Sequence, residues 1–156
     1  MEVKKIILHH YNSKRNLVNA FKEGDNFALQ IMALEMAKYC KGTIIPVPST
    51  SGNTLKLAKM IAQLTGHPYI SILRKKSSYI SSCLRRKRGL NPLPYAKLSN
   101  NIYALTHKKF ARVTLIDDVI TSGNTVKACL SKIKAKKIDV VIYATASRKK
   151  SKNPKG

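Results

Sequence analysis

The chain has 156 residues, 44% of them hydrophobic, which fits one globular domain and excludes wholesale disorder. At this size folding buries roughly 68–70% of the surface exposed by the unfolded chain, so a real core is available. Thirty Lys and Arg against seven Asp and Glu give a formal charge of +23, and a field of that sign concentrates anions: nucleic acid, anionic lipid or polyphosphorylated small molecules. No run approaches the ~20 apolar residues of a spanning helix, and the first residues carry no secretory signal pattern, so no membrane association is expected. Three scattered cysteines, Cys40, Cys83 and Cys129, make neither a disulfide framework nor a zinc site, and they predict a reducing, cytoplasmic setting.

In chain order, residues 26–39 carry Phe27, Ile31, Leu34 and Met36 in a helical pattern, opened by Asp25 as a cap and closed by Gly42. Residues 43–47 read as a short buried strand with Pro46 near its end. Leu57, Ile61 and Leu64 predict the next helix, stopped by Gly66 and Pro68. A strand is expected over 69–73 and a stronger one over 113–116. Val126, Cys129, Leu130 and Ile133 fall at i, i+3, i+4 and i+7, so a helix follows, with Cys129 in the core. Residues 140–143 close the series as an apolar strand. This alternation predicts an α/β fold, a mainly parallel sheet flanked by helices.

One domain is expected over residues 1–147. Inside it, residues 74–112 form an insertion rich in Pro, Gly and charge, read as a basic flap or hood. Residues 148–156 hold five bases and no acid and read as a solvated, disordered tail. The cluster Arg85-Arg86-Lys87-Arg88 is a candidate nucleic-acid patch. Tyr79, Tyr95 and Tyr103 lie among these cations; packing the flap is their first reading, and stacking on single-stranded bases their second. The adjacent pair His9-His10 is expected to be exposed rather than metal-ligating, as are His67 and His107.

Between Glu35 and Asp117 lie 81 residues with no acid and fifteen Lys or Arg. Asp117 and Asp118 then arrive side by side. Like charges repel, and a buried carboxylate is costly unless paired, hydrogen-bonded or metal-bound, so a positive or polyhydroxylated group should sit beside them.

One pentapeptide occurs twice. Thr50-Ser51-Gly52-Asn53-Thr54 and Thr121-Ser122-Gly123-Asn124-Thr125 each follow a predicted strand and precede a predicted helix. Glycine lets the backbone approach a ligand, small hydroxyls add donors, and a helix start presents unpaired N–H groups. Ordinary turn and cap chemistry accounts for one such loop; two at strand-to-helix junctions read as phosphate cradles at the carboxyl ends of strands. Neither is a Walker loop, so ATP hydrolysis of that class is disfavoured. Two cradles and a carboxylate pair describe a ligand with phosphates at two ends and hydroxyls, or hydroxyl-bound Mg²⁺, between them. 5-Phosphoribosyl-1-pyrophosphate has that layout.

Val113-Thr114-Leu115-Ile116-Asp117-Asp118-Val119-Ile120-Thr121-Ser122-Gly123-Asn124-Thr125 resembles the signature of type I phosphoribosyltransferases. Phe21-Lys22-Glu23-Gly24-Asp25 and Ile44-Ile45-Pro46-Val47-Pro48 are similar to the competence-protein-F (ComF) branch. The chain departs from that branch after its Pro-Val-Pro, where Ser51-Gly52-Asn53-Thr54 stands in place of an Arg-Gly-Phe-Asn-Gln-like stretch.

The resemblance implies a Mg²⁺-dependent phosphoribosyltransferase that binds phosphoribosyl pyrophosphate and transfers phosphoribosyl to a nitrogenous acceptor such as a nucleobase, releasing pyrophosphate. Asp117 and Asp118 would hold the ribose hydroxyls, directly or through Mg²⁺. Thr121, Ser122, Gly123, Asn124 and Thr125 would bind the 5-phosphate. Pro48, Ser49, Thr50, Ser51, Gly52, Asn53 and Thr54 would form the pyrophosphate loop, with Lys56 and Arg74 as hood cations. Dimers are common among similar proteins, which makes a homodimer an expectation without a legible interface. The alternative is a nucleic-acid-binding protein, for DNA uptake or regulation, on the same scaffold and with little or no transferase activity.

Overall fold

Four parallel strands, in the order β1-β6-β5-β2, divide the molecule into two layers. A computed structural model describes residues 1–76, 89 and 101–146. Its elements are β1 (Glu2–His10), α1 (Tyr11–Lys22), α2 (Asn26–Ala37), β2 (Thr43–Pro46), α3 (Asn53–Thr65), β3 (Leu73–Lys75), β4 (Ile102–Ala104), β5 (Lys109–Ile120), α4 (Asn124–Leu130) and β6 (Lys134–Thr145). The expected parallel sheet flanked by helices is the observed architecture.

Alternation along the strands sorts side chains to the two faces. On β5, Ile116 packs with Val18, Met32, Met36, Leu57 and Ile61 of the α1–α3 layer. Its neighbour Leu115 packs with Leu73 and Ile102 of the antiparallel pair β3–β4, and with Val126 and Cys129 of α4. Each such fully buried side chain contributes roughly 1.5–3 kcal/mol of transfer free energy. Strands buried on both faces read as apolar runs, which is why the centres of β5 and β6 stand out in the sequence.

Several expectations hold and others are corrected. Asp25 caps α2, accepting from the N–H groups of Phe27 and Ala28 at 2.8 and 3.2 Å. The helix ends at Ala37, so Gly42 is not its stop. Gly42 has φ 73°, and a Cβ there would fall 2.3 Å from the Arg112 carbonyl oxygen, so glycine is required for the close approach to β5. The strand expected over 69–73 is reduced to a single bridge from Tyr69 to Ile44, and β3 begins only at Leu73. The helix expected through Ile133 ends at Leu130. The flap is entered and left through β3 and β4, and residues 109–112 of the expected insertion belong to β5. β1, unread in the sequence, is an edge strand that among the described residues pairs only with β6.

Two buried polar groups lock the amino end of the sheet. The Thr114 hydroxyl accepts from the Lys41 N–H at 2.8 Å and donates to the Lys41 carbonyl at 2.6 Å. Arg112 Nε donates to the buried Asp139 carboxylate on β6 at 2.9 Å.

Candidate functional site at the carboxyl edge of the sheet

β2 and β5 are hydrogen-bonded neighbours, and their carboxyl ends leave the sheet together. Pro46 pairs with Ile116, and the Val47 N–H donates to the Ile116 carbonyl at 2.9 Å. Beyond those two residues, one strand continues into Pro48 and the first pentapeptide, the other into Asp117 and Asp118 and the second pentapeptide.

The two loops have the same local geometry. Gly52 and Gly123 have φ of 77° and 82°, and each immediately precedes its helix. A Cβ at either would meet nothing within 4 Å, so the space above both glycines is open. Ser51 Oγ accepts from the Asn53 N–H at 3.2 Å, and Ser122 Oγ accepts from the Asn124 N–H at 3.3 Å. The Lys56 N–H donates to the Gly52 carbonyl at 3.2 Å and the Lys127 N–H to the Gly123 carbonyl at 3.0 Å. The first loop is further braced by Ser49 Oγ, which accepts from the Gly52 N–H at 3.2 Å, and by Asn53 Nδ2, which donates to the Lys22 carbonyl at 3.1 Å. Repetition of the sequence is therefore repetition of a shape.

The carboxylate pair lies near the carboxyl end of β5, which runs on to Ile120. Asp117 is buried and Asp118 half-buried. The Asp118 N–H donates to Asp117 Oδ1 at 2.9 Å, and the Val119 N–H to Asp118 Oδ1 at 2.7 Å. Burial pushes the Asp117 carboxyl well above its ordinary range, and the neighbouring Asp118 charge pushes it the same way. The ammonium of Lys75, at the end of β3, is pushed down by burial and supported by the Asp117 charge. Burial beside the same carboxyl also raises the Cys129 thiol, which keeps it an inert core residue, as the sequence predicts.

A cavity of about 400 Å³ lies between the first loop and β3, with Pro48, Ser49, Thr50 and Gly52 on one wall and Arg74, Lys75 and Lys76 on the other. A larger hollow of about 530 Å³ follows residues 12–17 of α1, where Lys14 departs from helical geometry. A single segment lines it and neither pentapeptide belongs to that lining, so the smaller cavity, which the first loop lines, is the candidate site; Asp117, Asp118 and the second loop lie outside the lining of both.

Among the expected hood cations, Arg74 lies on that wall, but its Nη1 donates to the Ser71 carbonyl, the Ser71 hydroxyl and the Leu73 carbonyl at 2.9, 3.1 and 3.0 Å. Lys56 is exposed in the first turn of α3 and is not part of the cavity wall. Lys75 is the cation that sequence reasoning missed. It sits in a run of three bases, and only the β3–β4 register shows which one turns inward. Arg85, Arg86, Lys87 and Arg88, with Tyr79 and Tyr95, lie outside the described residues, as does the tail.

His9 corrects another expectation. It is half-buried rather than exposed: its Nε2 lies 2.6 Å from Glu35 Oε1, while the Tyr143 hydroxyl donates to Glu35 Oε2 at 2.8 Å. Burial alone would raise the Glu35 carboxyl, yet the hydrogen bonds from His9 and Tyr143 outweigh it and hold that group below its ordinary range. This cluster braces the carboxyl ends of β1 and β6 against α2, on the side of the sheet away from Lys75.

The donor set can be tested for Mg²⁺. Among the described residues no group of three or more His, Cys, Asp or Glu side chains is placed to cage a metal. Mg²⁺ is commonly held by one or two carboxylates completed by water and ligand phosphates, and Asp117 and Asp118 fit that mode.

Comparison with solved structures bears on the fold. The glutamine phosphoribosylpyrophosphate amidotransferase of B. subtilis, complexed with ADP and GMP, superposes with a TM-score of 0.50 at 20% identity, over 73% of this chain and 25% of that one. The chain has a type I phosphoribosyltransferase-like fold. An allosteric regulatory enzyme of purine biosynthesis matches with a TM-score of 0.49 at 22% identity, over 80% of this chain and 25% of its own. The chain thus spans about a quarter of the length of these proteins. No family model and no curated protein sequence matches it. Among the described residues no helix is long and apolar enough to cross a membrane.

Proposed function

We propose that the edge formed by β2 and β5 binds 5-phosphoribosyl-1-pyrophosphate and transfers its phosphoribosyl group to a nitrogenous acceptor. The observation that carries this reading is the pair of matching Gly52 and Gly123 loops on neighbouring parallel strands, with Asp117 and Asp118 between them. The loop from Thr121 to Thr125 takes the 5-phosphate through its hydroxyls and backbone N–H groups. The loop from Pro48 to Thr54 takes the pyrophosphate, with Lys75 and Arg74 on the opposite cavity wall. Asp118, the more accessible acid, accepts from the ribose hydroxyls, and Asp117 supports it from beneath.

In the reaction the acceptor nitrogen lone pair forms the bond to the anomeric carbon. The bond from that carbon to the pyrophosphate oxygen breaks, its electrons leave with pyrophosphate, and the acceptor nitrogen sheds a proton. Charge grows on the leaving group, so cations aimed at it lower the barrier. Mg²⁺ held by Asp117 and Asp118 would supply further charge neutralisation at the sugar and its phosphates. The competence-protein-F kinship and the identity of the acceptor belong to this proposal as well.

A pyrophosphate-release assay with Mg²⁺ and a panel of nucleobases and amines tests it. The expected result is turnover with one acceptor class, lowered at least about a hundredfold by Asp118→Asn in a protein that still folds. Release unaffected by that substitution overturns the assignment.

A second reading, nucleic-acid binding on this scaffold, draws on the opposite edge of the sheet. There Lys109 pairs in register with Lys134, and Lys137 lies across from Arg112, whose own charge is met by Asp139. Like charges placed across strands are unfavourable, and a polyanion would relieve them. Affinity for single-stranded DNA falling by ~0.7 log units per log of salt for each phosphate neutralised is its signature.

A further inference from the structure

The α2 helix is apolar on both sides. Ala28, Met32, Ala33 and Met36 are buried against the molecule, while Phe27 and Leu34 are 71% and 56% exposed. Phe27, Ile31 and Leu34 follow at i, i+4 and i+7, a continuous stripe on the outward face. A helix that is apolar all round is a buried helix. This one is covered on one side only.

We infer that the outward face of α2 is the contact between two copies of this chain, packed antiparallel about a two-fold axis at Ile31. The charge pattern selects that occupant. α2 contains no Lys or Arg, although the chain has thirty, so two strongly cationic molecules meet here with the least repulsion. Three of the seven acids, Glu23, Asp25 and Glu35, lie in or beside this helix. In an isologous pairing, residue i meets j and j meets i. Phe27 of each copy then meets Leu34 of the other. Glu23 and Asp25, at the amino end, come opposite Lys38 and Tyr39 at the carboxyl end. All four are exposed, so apolar stripe and charges are self-complementary in the same arrangement, and the helix dipoles run antiparallel.

Other occupants fit less well. The basic segment 148–156 carries no apolar residue with which to cover the stripe. The described strands β3 and β4 pack in the layer on the far side of the sheet.

Sedimentation equilibrium on the full chain, across protein concentration, tests the inference. The expected result is a monomer–dimer equilibrium whose Kd rises on the order of a hundredfold or more in Leu34→Glu, with circular dichroism unchanged, and with thermal unfolding unchanged at protein concentrations where both chains are monomeric. As a second arm, Glu23→Lys and Lys38→Glu should each weaken the dimer, and the double exchange should recover most of the loss. A monomer at every concentration overturns the inference; hydrogen-exchange protection of α2 in that monomer would assign the face to a segment of the same chain. A dimer insensitive to Leu34→Glu overturns it too, because the contact then lies elsewhere.

Discussion

The charges of Lys75 on β3 and the buried Asp117 on β5 act on one another, from the layer formed by β3 and β4 to the sheet beneath it. Each charge offsets part of the other's burial. Neither group sits in an environment chosen for stability alone, because an amide or an apolar side chain would bury at lower cost in either place.

The Asp117 carboxyl is raised, so the sign of its contribution is opposite to that of a salt-bridged acid. Above its unfolded value of 3.8 the unfolded chain loses this proton before the folded chain does. Stability is therefore lost as pH rises from that value through the higher folded one. Asp117→Asn keeps the oxygen that accepts the Asp118 N–H and removes the cost of ionising a buried carboxyl, while withdrawing the charge that supports Lys75. Thermal unfolding should show the Tm difference between variant and wild type moving in the variant's favour as pH rises from about 3.5 to about 7. The same variant should lose Mg²⁺-dependent ligand binding.

Lys75→Met should weaken binding of inorganic pyrophosphate by roughly tenfold or more, the worth of one charge-assisted contact. Lys56→Met should leave it unchanged, since Lys56 is not on the cavity wall. Isothermal titration with pyrophosphate alone compares the two. Equal losses in both variants would remove Lys75 from the site.

The paired loops make separable predictions. Ala at position 52 or 123 meets no atom, but at a φ near +80° a Cβ is strained by roughly 1–2 kcal/mol, enough to shift the loop. Gly123→Ala should weaken ribose 5-phosphate with little effect on pyrophosphate, and Gly52→Ala should do the reverse. Titration of each variant with each fragment checks the assignment of ends.

The Glu35 cluster has the usual sign for an acid. Its folded value lies below the ordinary 4.5, so its stabilisation is present above 4.5 and is lost as pH falls through the folded value. Tyr143→Phe removes one of the two hydrogen bonds and should cost about 1 kcal/mol. A denaturant titration at pH 7 and again at pH 3 reads this, with the difference between wild type and variant shrinking at the lower pH.

The central strand and the two loops were legible in the sequence because their signals are local. Asp117-Asp118 follows an unbroken apolar run, and each Ser-Gly-Asn marks its own turn. The strand β1 was not legible: as an edge it buries few side chains, and Val3 and Ile7 are exposed among lysines. The partners of Glu35 lie 26 and 108 residues away, a separation that no spacing rule reaches. Phe27 and Leu34 carry the helical pattern of α2 in the sequence, yet Ala28 and Ala33 are the buried residues. The close approach of α2 to its neighbours selects the small residues instead.

The most direct measurement is calorimetric titration of the full chain with 5-phosphoribosyl-1-pyrophosphate, with and without Mg²⁺. The account predicts one saturable site that requires the metal, is lost in Asp118→Asn, and at ligand a hundredfold above Kd raises Tm by roughly 5–10 °C. A folded protein that shows neither heat nor thermal shift with the sugar and the metal together would contradict it.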